Sequence, residues 1–193
     1  MNYYPIIPTI LVVTEGHTER IYLDHLRERD MGCSVIVRKS PRTGQDKVVK
    51  HCIQLIKDMG LNLKKGDEAY CVFDWDMAED DLLKGAVKTA ESKGIKVLFS
   101  KPCFEIVFLA HFKTDLSAPK DQNETIELLK KHIKEYSKTE DYWGVLKPKQ
   151  ADARKKLSGY AFDADSEFSN LPNGSNVFDL ADDVEAKKRR NRR

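Results

Sequence analysis

Three carboxylates in this 193-residue chain stand where apolar runs stop. Glu15 follows Ile10-Leu-Val-Val-Thr14, and Asp74 and Asp76 follow Ala69-Tyr-Cys-Val-Phe73. Glu19 comes four residues after Glu15, and Glu105 lies just past the run 95–100 and Pro102. In an extended segment residues two apart point to the same side, so Asp74 and Asp76 are expected to project into one site. Carboxylates that converge without matching cations repel one another. A hard divalent cation with oxygen ligands relieves that repulsion, and with no His/Cys cluster nearby Mg²⁺ or Mn²⁺ suits better than zinc. Such ions clamp the attacking and leaving oxygens of a phosphodiester displacement. An Asp-x-Asp after a strand is more often a turn or a cap. Its weight here comes from its company at the end of a second apolar run.

Other side chains add to this set. Lys101, at the end of the fourth apolar run, is placed to neutralise developing phosphate charge. A surface lysine is the plainer alternative. His17, beside Glu15, is a candidate contact to a phosphate or a metal, although a histidine in a turn is more often merely exposed. His111, on an apolar segment, reads as a partly buried and satisfied histidine, and Trp75 as a packing residue. Other chemistries lack their signatures. There is no GxSxG, no GxxxxGK[ST] and no GxGxxG, and Cys103 has no histidine base beside it. Any nucleotide-hydrolysing engine must come from another protein.

Alternating elements hold these residues in place. Runs 10–14, 34–38, 69–73 and 95–100 read as strands. Segments 19–29 (capped by Thr18), 47–59, 80–93 and 104–112 read as helices, with Gly94 ending the third. The alternation implies an α/β fold, a mainly parallel sheet of about four strands with helices on both faces. In such a sheet, ligands bind outside the carboxyl ends of the strands, where the acidic residues fall. Beyond residue 113 the pattern turns helical, over 124–136, 149–157 and 177–186, with a turn-rich stretch at 170–176. The expected organisation is an α/β core over 1–113, a helical part over 114–186 packed on it, and a basic tail over 187–193.

The formal net charge of +2 conceals an asymmetry: six of the 33 basic residues and none of the 31 acidic ones lie in 187–193. The body is therefore mildly acidic and the tail strongly basic. Lys187, Lys188, Arg189 and Arg190 are candidate phosphate contacts, a solvated tail being the alternative. No apolar run approaches the ~18 residues that span a bilayer, and the N-terminus lacks a secretory pattern, so no membrane is expected and the cytoplasm is the expected location. Cys33, Cys52, Cys71 and Cys103 are widely spaced, as in a reduced protein without zinc knuckles.

Three blocks carry a family resemblance. Val13-Thr-Glu-Gly-His-Thr-Glu19 resembles the xxEGxTE start of RloB-like proteins, and Val72-Phe-Asp-Trp-Asp76 is similar to their vFDxD strand end. Residues 100–112 are similar to their SNPcFExWlllHf block, with Lys101 where the family commonly has Asn and Val107 where it commonly has Trp. The resemblance covers about residues 8 to 136 well. RloB-like proteins in turn resemble the Toprim group, which includes the nuclease parts of OLD-family proteins. That likeness implies a Toprim/Rossmann-like core, with Glu15 as metal ligand or general acid/base and Asp74 and Asp76 holding Mg²⁺. Glu19 and Glu105 come with their motifs as further catalytic candidates. It also implies a divalent-metal-dependent nuclease of DNA or RNA, tRNA included, in defence against phage, with an AAA- or ABC-type ATPase partner. The residues leave open a homodimer and a non-catalytic module that binds nucleic acid or the ATPase.

Overall fold

The computed structural model describes residues 7–25, 32–112 and 114–191, the side chains of 188, 190 and 191 excepted. The element order is β1 (Thr9–Thr14), α1 (His17–Asp24), β2 (Ser34–Lys39), α2 (Gln45–Asp58), β3 (Glu68–Asp74), α3 (Asp80–Ser92), β4 (Lys96–Lys101) and α4 (Glu105–Ala110). Then come α5 (Gln122–Lys130), α6 (Trp143–Leu146), α7 (Gln150–Leu157), β5 (Gly174–Ser175) and α8 (Phe178–Asn191). The strands form one sheet in the order β2-β1-β3-β4-β5, with every pair parallel except β4 with β5. The expected mainly parallel α/β sheet is therefore present, with one short antiparallel strand added at its edge.

Helices cover both faces because the strands are apolar on both. Ile10, Val12, Tyr70, Val72 and Leu98 pack toward α1 and α4–α8, whereas Leu11, Val13, Cys71, Phe73 and Phe99 pack toward α2 and α3. Ile10 to Val13 are wholly buried, each contributing about 1.5–3 kcal/mol by leaving water. The chain steps from β1 to β2 across α1, then returns past β1 to β3 across α2 on the other face. Such opposite steps with crossovers of one hand require helices on opposite faces. They also make β1 and β3 the neighbours at which the winding reverses.

The C-terminal part shares the core of one face. Leu129, Ile133, Leu146, Ala153, Leu157, Leu180 and Val184 pack in one cluster with α4. Between α7 and β5, Phe162 and Phe168 reach the opposite face, where they meet Phe99. Several boundaries differ from expectation, and the helix expected over 124–136 spans only Gln122–Lys130. α1 begins at His17 with Gly16 as its N-cap, while Thr18 is buried and donates its hydroxyl to the Lys138 carbonyl at 3.2 Å. The last helix runs on through the basic segment to Asn191. No helix among the described residues is long and apolar enough to cross a membrane.

A carboxylate-lined cleft at the strand ends

The register β1–β3 pairs Thr14 with Val72, and β3–β4 pairs Asp74 with Ser100, so the carboxyl ends of adjacent strands finish side by side. A cleft of 340 Å³ opens there, at the point where the winding reverses. In doubly wound sheets this crevice is where ligands sit. Glu15, His17, Glu19, Asp74, Asp76 and Glu105 all line it. The structure thus brings five carboxylates and one histidine, from five different elements or loops, to one cavity.

Each carboxylate is held differently. The Glu15 backbone N–H donates to the Val72 carbonyl at 3.2 Å, fixing the chain as it leaves β1. Its side chain accepts from the Gly44 N–H at 2.8 Å. Gly44 has φ 103°, a left-handed value that favours glycine, so the loop before α2 can turn its amide toward Glu15. Glu19, buried in the first turn of α1, accepts from the Gly16 N–H at 3.2 Å. Asp74 Oδ2 accepts from the Phe104 N–H at 3.0 Å, while Asp74 Oδ1 is buried with no hydrogen-bond partner. Glu105 is 1% exposed, accepts from the Tyr136 hydroxyl at 2.9 Å and has the Lys138 ammonium 3.6 Å away.

Burial and crowding disturb these groups. Burial pushes the Glu19 carboxyl up to about 7, with backbone hydrogen bonds opposing and the Glu105 and Glu15 charges adding. Asp74 is pushed well above the usual carboxylate range, first by burial and then by Glu19 and Glu105, the Phe104 N–H opposing. Lone buried carboxylates respond to burial alone, but here the carboxylates also raise one another. The cleft is electrostatically short of positive charge.

Asp76 reaches the cleft by a different route from the expected one. The strand stops at Asp74, and Asp76 and Met77 take positive φ values of 35° and 56°. The extended-chain argument for Asp74 and Asp76 therefore does not hold. The backbone turns instead, held by Trp75 N–H to the Ser100 carbonyl and Asp76 N–H to the Pro102 carbonyl, both at 3.0 Å. Consecutive left-handed residues are uncommon outside glycine and concentrate at sites of function.

Several expected residues lie elsewhere. Lys101 does not enter the cleft. It is 7% exposed, and its ammonium donates to the carbonyls of Phe168, Ser169 and Leu171 and lies 4.7 Å from the centre of the Trp75 ring. Burial lowers its proton affinity. It pins the 168–171 segment to the end of β4. Lys187 donates to Glu68 and to the Gly66 carbonyl, both at 2.8 Å, at the start of β3 and hence at the opposite end of the sheet from the cleft. Arg189 faces Glu185 at 3.9 Å. The side chains of Lys188 and Arg190 lie outside the described residues. His111 is buried, with Nδ1 2.8 Å from the Val107 carbonyl and Nε2 unpartnered, and burial lowers it to about 4. All four cysteines are free and buried, and burial with the Glu105 and Asp74 charges raises the Cys103 thiol.

The cleft also holds residues that no motif announced: Lys39, Thr43, Gln45, Gln122 and Lys138. Gln45 donates to the Asp74 carbonyl at 3.3 Å. Lys138 enters on a segment whose carbonyl bonds Thr18, 120 positions away in sequence. A larger cavity of 680 Å³ lies at the other end of β4, but its Asp182 and Asp183 are already paired with Arg154 and Lys96.

Among the described residues, no group of three or more His, Cys, Asp or Glu side chains stands close enough together to hold a metal ion. The donor chemistry nevertheless fits a hard cation. Every candidate ligand offers carboxylate oxygen, and the orphaned Asp74 Oδ1 is a buried acceptor in need of a donor or a cation. Mg²⁺ commonly keeps several waters and takes only one or two carboxylates from the protein.

The family model described as RloB-like protein matches residues 10–189, and so extends past the part that the three motif blocks cover. No curated protein and no solved structure matches the chain.

Proposed function

This chain belongs to the RloB-like family, and from that premise and the carboxylate-lined cleft we propose that it is a divalent-metal-dependent nuclease of Toprim type. The observation that carries the reading is Asp74 Oδ1, a buried and unpartnered carboxylate oxygen among four further carboxylates at the reversal of the sheet. Such a site is stable as built only if protons or a cation compensate it. In this reading Asp74, Asp76 and Glu15 hold Mg²⁺ or Mn²⁺. The ion, when bound, neutralises phosphate charge and activates an attacking water.

The chain's own groups supply the rest. Glu19, poised near neutrality, is suited to take or give a proton at the reacting water. Glu105 is held in place at the back of the cleft by the Tyr136 hydroxyl. Lys39 and Lys138, rather than Lys101, are the ammonium groups available to a phosphate oxygen. The substrate class is a phosphodiester of DNA or RNA, tRNA included. A role in phage defence beside an AAA- or ABC-type ATPase belongs to the same reading, as an implication of the family resemblance.

The test is to incubate purified protein with plasmid DNA, single-stranded DNA and bulk tRNA in Mg²⁺, Mn²⁺ or EDTA. An Asp74→Asn, Asp76→Asn variant runs alongside. Metal-dependent cutting by the wild type alone is expected. Equal cutting by the variant would sink the assignment. A non-catalytic module that binds nucleic acid or an ATPase is the competing reading. It predicts binding without cutting even after the partner ATPase is added.

A further inference from the structure

A further cavity, of 290 Å³, lies beside the cleft on the far side of the β2–α2 loop. It is lined by Ser40, Pro41, Arg42, Lys47, Lys50 and His51. Three permanent cations and a histidine face it, and no carboxylate does. Lys50 reaches Asp46 at 3.0 Å, an exposed pair of little strength, while Arg42, Lys47 and His51 form no ion pair among the described residues. The mildly acidic body of the protein makes such a concentration of positive charge a local feature.

The loop that walls this cavity is also a wall of the cleft. Ser40 holds the loop's turn, donating its hydroxyl to the Arg42 carbonyl at 2.6 Å and accepting from the Arg42 N–H at 3.3 Å. Two residues on, the Gly44 N–H binds Glu15, and Gln45 binds the Asp74 carbonyl. Lys39 and Thr43 line the acidic cleft, while Arg42 and Lys47 line the basic cavity. One short loop, tied to the site through Gly44 and Gln45, therefore separates an acidic from a cationic compartment. A polyanion with repeating charges fits that pair: one phosphate over the carboxylates, where a cation is needed, and a neighbouring one among the fixed cations.

We propose that the cavity formed by Arg42, Lys47, Lys50 and His51 is a phosphate subsite that holds the nucleic-acid strand next to the bond presented to the cleft. The inference rests on the phosphodiester reading of the cleft and adds to it the direction in which the strand leaves, over the β2–α2 loop. The phosphate is either an internal one of the strand or its terminal one.

The test measures binding, so it does not depend on cutting. Fluorescein-labelled 20-mers of single-stranded DNA and RNA are titrated in EDTA over a range of salt. The proteins are the wild type, an Arg42→Ala, Lys47→Ala, Lys50→Ala variant, and a Lys64→Ala, Lys65→Ala control that removes exposed charge from a turn outside both cavities. Each lost phosphate contact lowers the slope of log affinity against log salt by about 0.7 for single strands. A slope lower by about 1 to 2, with affinity at least tenfold weaker, is expected of the triple variant and not of the control. Strands with a 5′-phosphate, a 3′-phosphate or neither separate the two sources. A difference confined to one phosphorylated end marks a terminal subsite, and equal loss on all three marks an internal one. The proposal is overturned if the triple variant binds like the control, or if the wild type shows no salt-dependent binding. A wild type that binds with the expected slope but cuts with no metal would instead retire the nuclease reading and leave the subsite standing.

Discussion

At the scale of single residues, Glu19 and Asp74 show how one fold makes two acidic side chains unusual. Both are raised first by burial and then by neighbouring carboxylates. For Glu19 the sign of the effect on stability follows. A carboxyl that titrates at about 7 folded and at 4.5 unfolded holds its proton more tightly in the folded state. The contribution is full below about pH 4.5 and is lost as pH rises through about 7, a difference of about 3 kcal/mol. Thermal melts in EDTA should therefore show stability falling between pH 5 and 8, and Glu19→Gln should flatten much of that fall. A wild-type profile that rises over the same range would show that the carboxylates are not crowded as described. Tyr136 acts in the opposite sense, giving buried Glu105 a hydrogen bond. Tyr136→Phe should cost about 1–3 kcal/mol, the penalty for leaving a buried acceptor without its donor, as read by denaturant midpoints at constant m-value.

Among the elements, the first turn of α1 is the most exacting. Gly16 is its N-cap in ordinary extended backbone, so left-handed freedom does not require the glycine. Space does. A Cβ there would stand 2.4 Å from Glu19 Oε2. The Glu19 side chain is flexible and can swing aside, but it then leaves both the Gly16 N–H and the cleft. Gly16→Ala should accordingly keep the fold, with a melting shift of a few degrees at most, while metal-dependent cutting drops at least tenfold. Unchanged cutting would remove Glu19 from the reaction. The edge of β4 is finished by side chains as well as by β5. Asn176 accepts from the Phe99 N–H at 2.8 Å and donates to the Val97 carbonyl at 3.0 Å, and so pairs backbone groups that a two-residue strand cannot reach.

The whole molecule joins its two parts through one face. α4 packs its apolar residues against the C-terminal helices, and the segment between α5 and α6 brings Tyr136 to Glu105 and Lys138 to the cleft. A chain ending at residue 113 would expose that face and lose Lys138 from the cleft. It should be insoluble or molten, judged by solubility and near-ultraviolet circular dichroism. A chain ending at Lys187 keeps the Lys187–Glu68 pair, and α8 ends far from the strand carboxyl ends. It should melt within a few degrees of the full chain and keep whatever metal-dependent cutting the full chain has. Loss of cutting in that shortened chain would restore the basic segment to the site.

The sequence by itself determined the sheet and the rim of the cleft. Apolar runs of strand length, each ended by a polar turn, dictate buried parallel strands, and a parallel sheet puts all their carboxyl ends on one side. Glu15, Asp74 and Glu105 were legible for that reason, because their position follows from local pattern and from one rule of topology. Lys101 was misread by the same rule, since the end of a strand fixes where a residue stands but not which way its side chain turns. The carbonyls of Phe168, Ser169 and Leu171 decided that. The bend at Asp76, the bond from Thr18 to Lys138 and the cationic cavity behind Gly44 also came only with tertiary structure. Each joins segments whose pairing leaves no periodicity in the chain, because a contact made across 120 residues depends on how packed elements meet and not on the residues beside it.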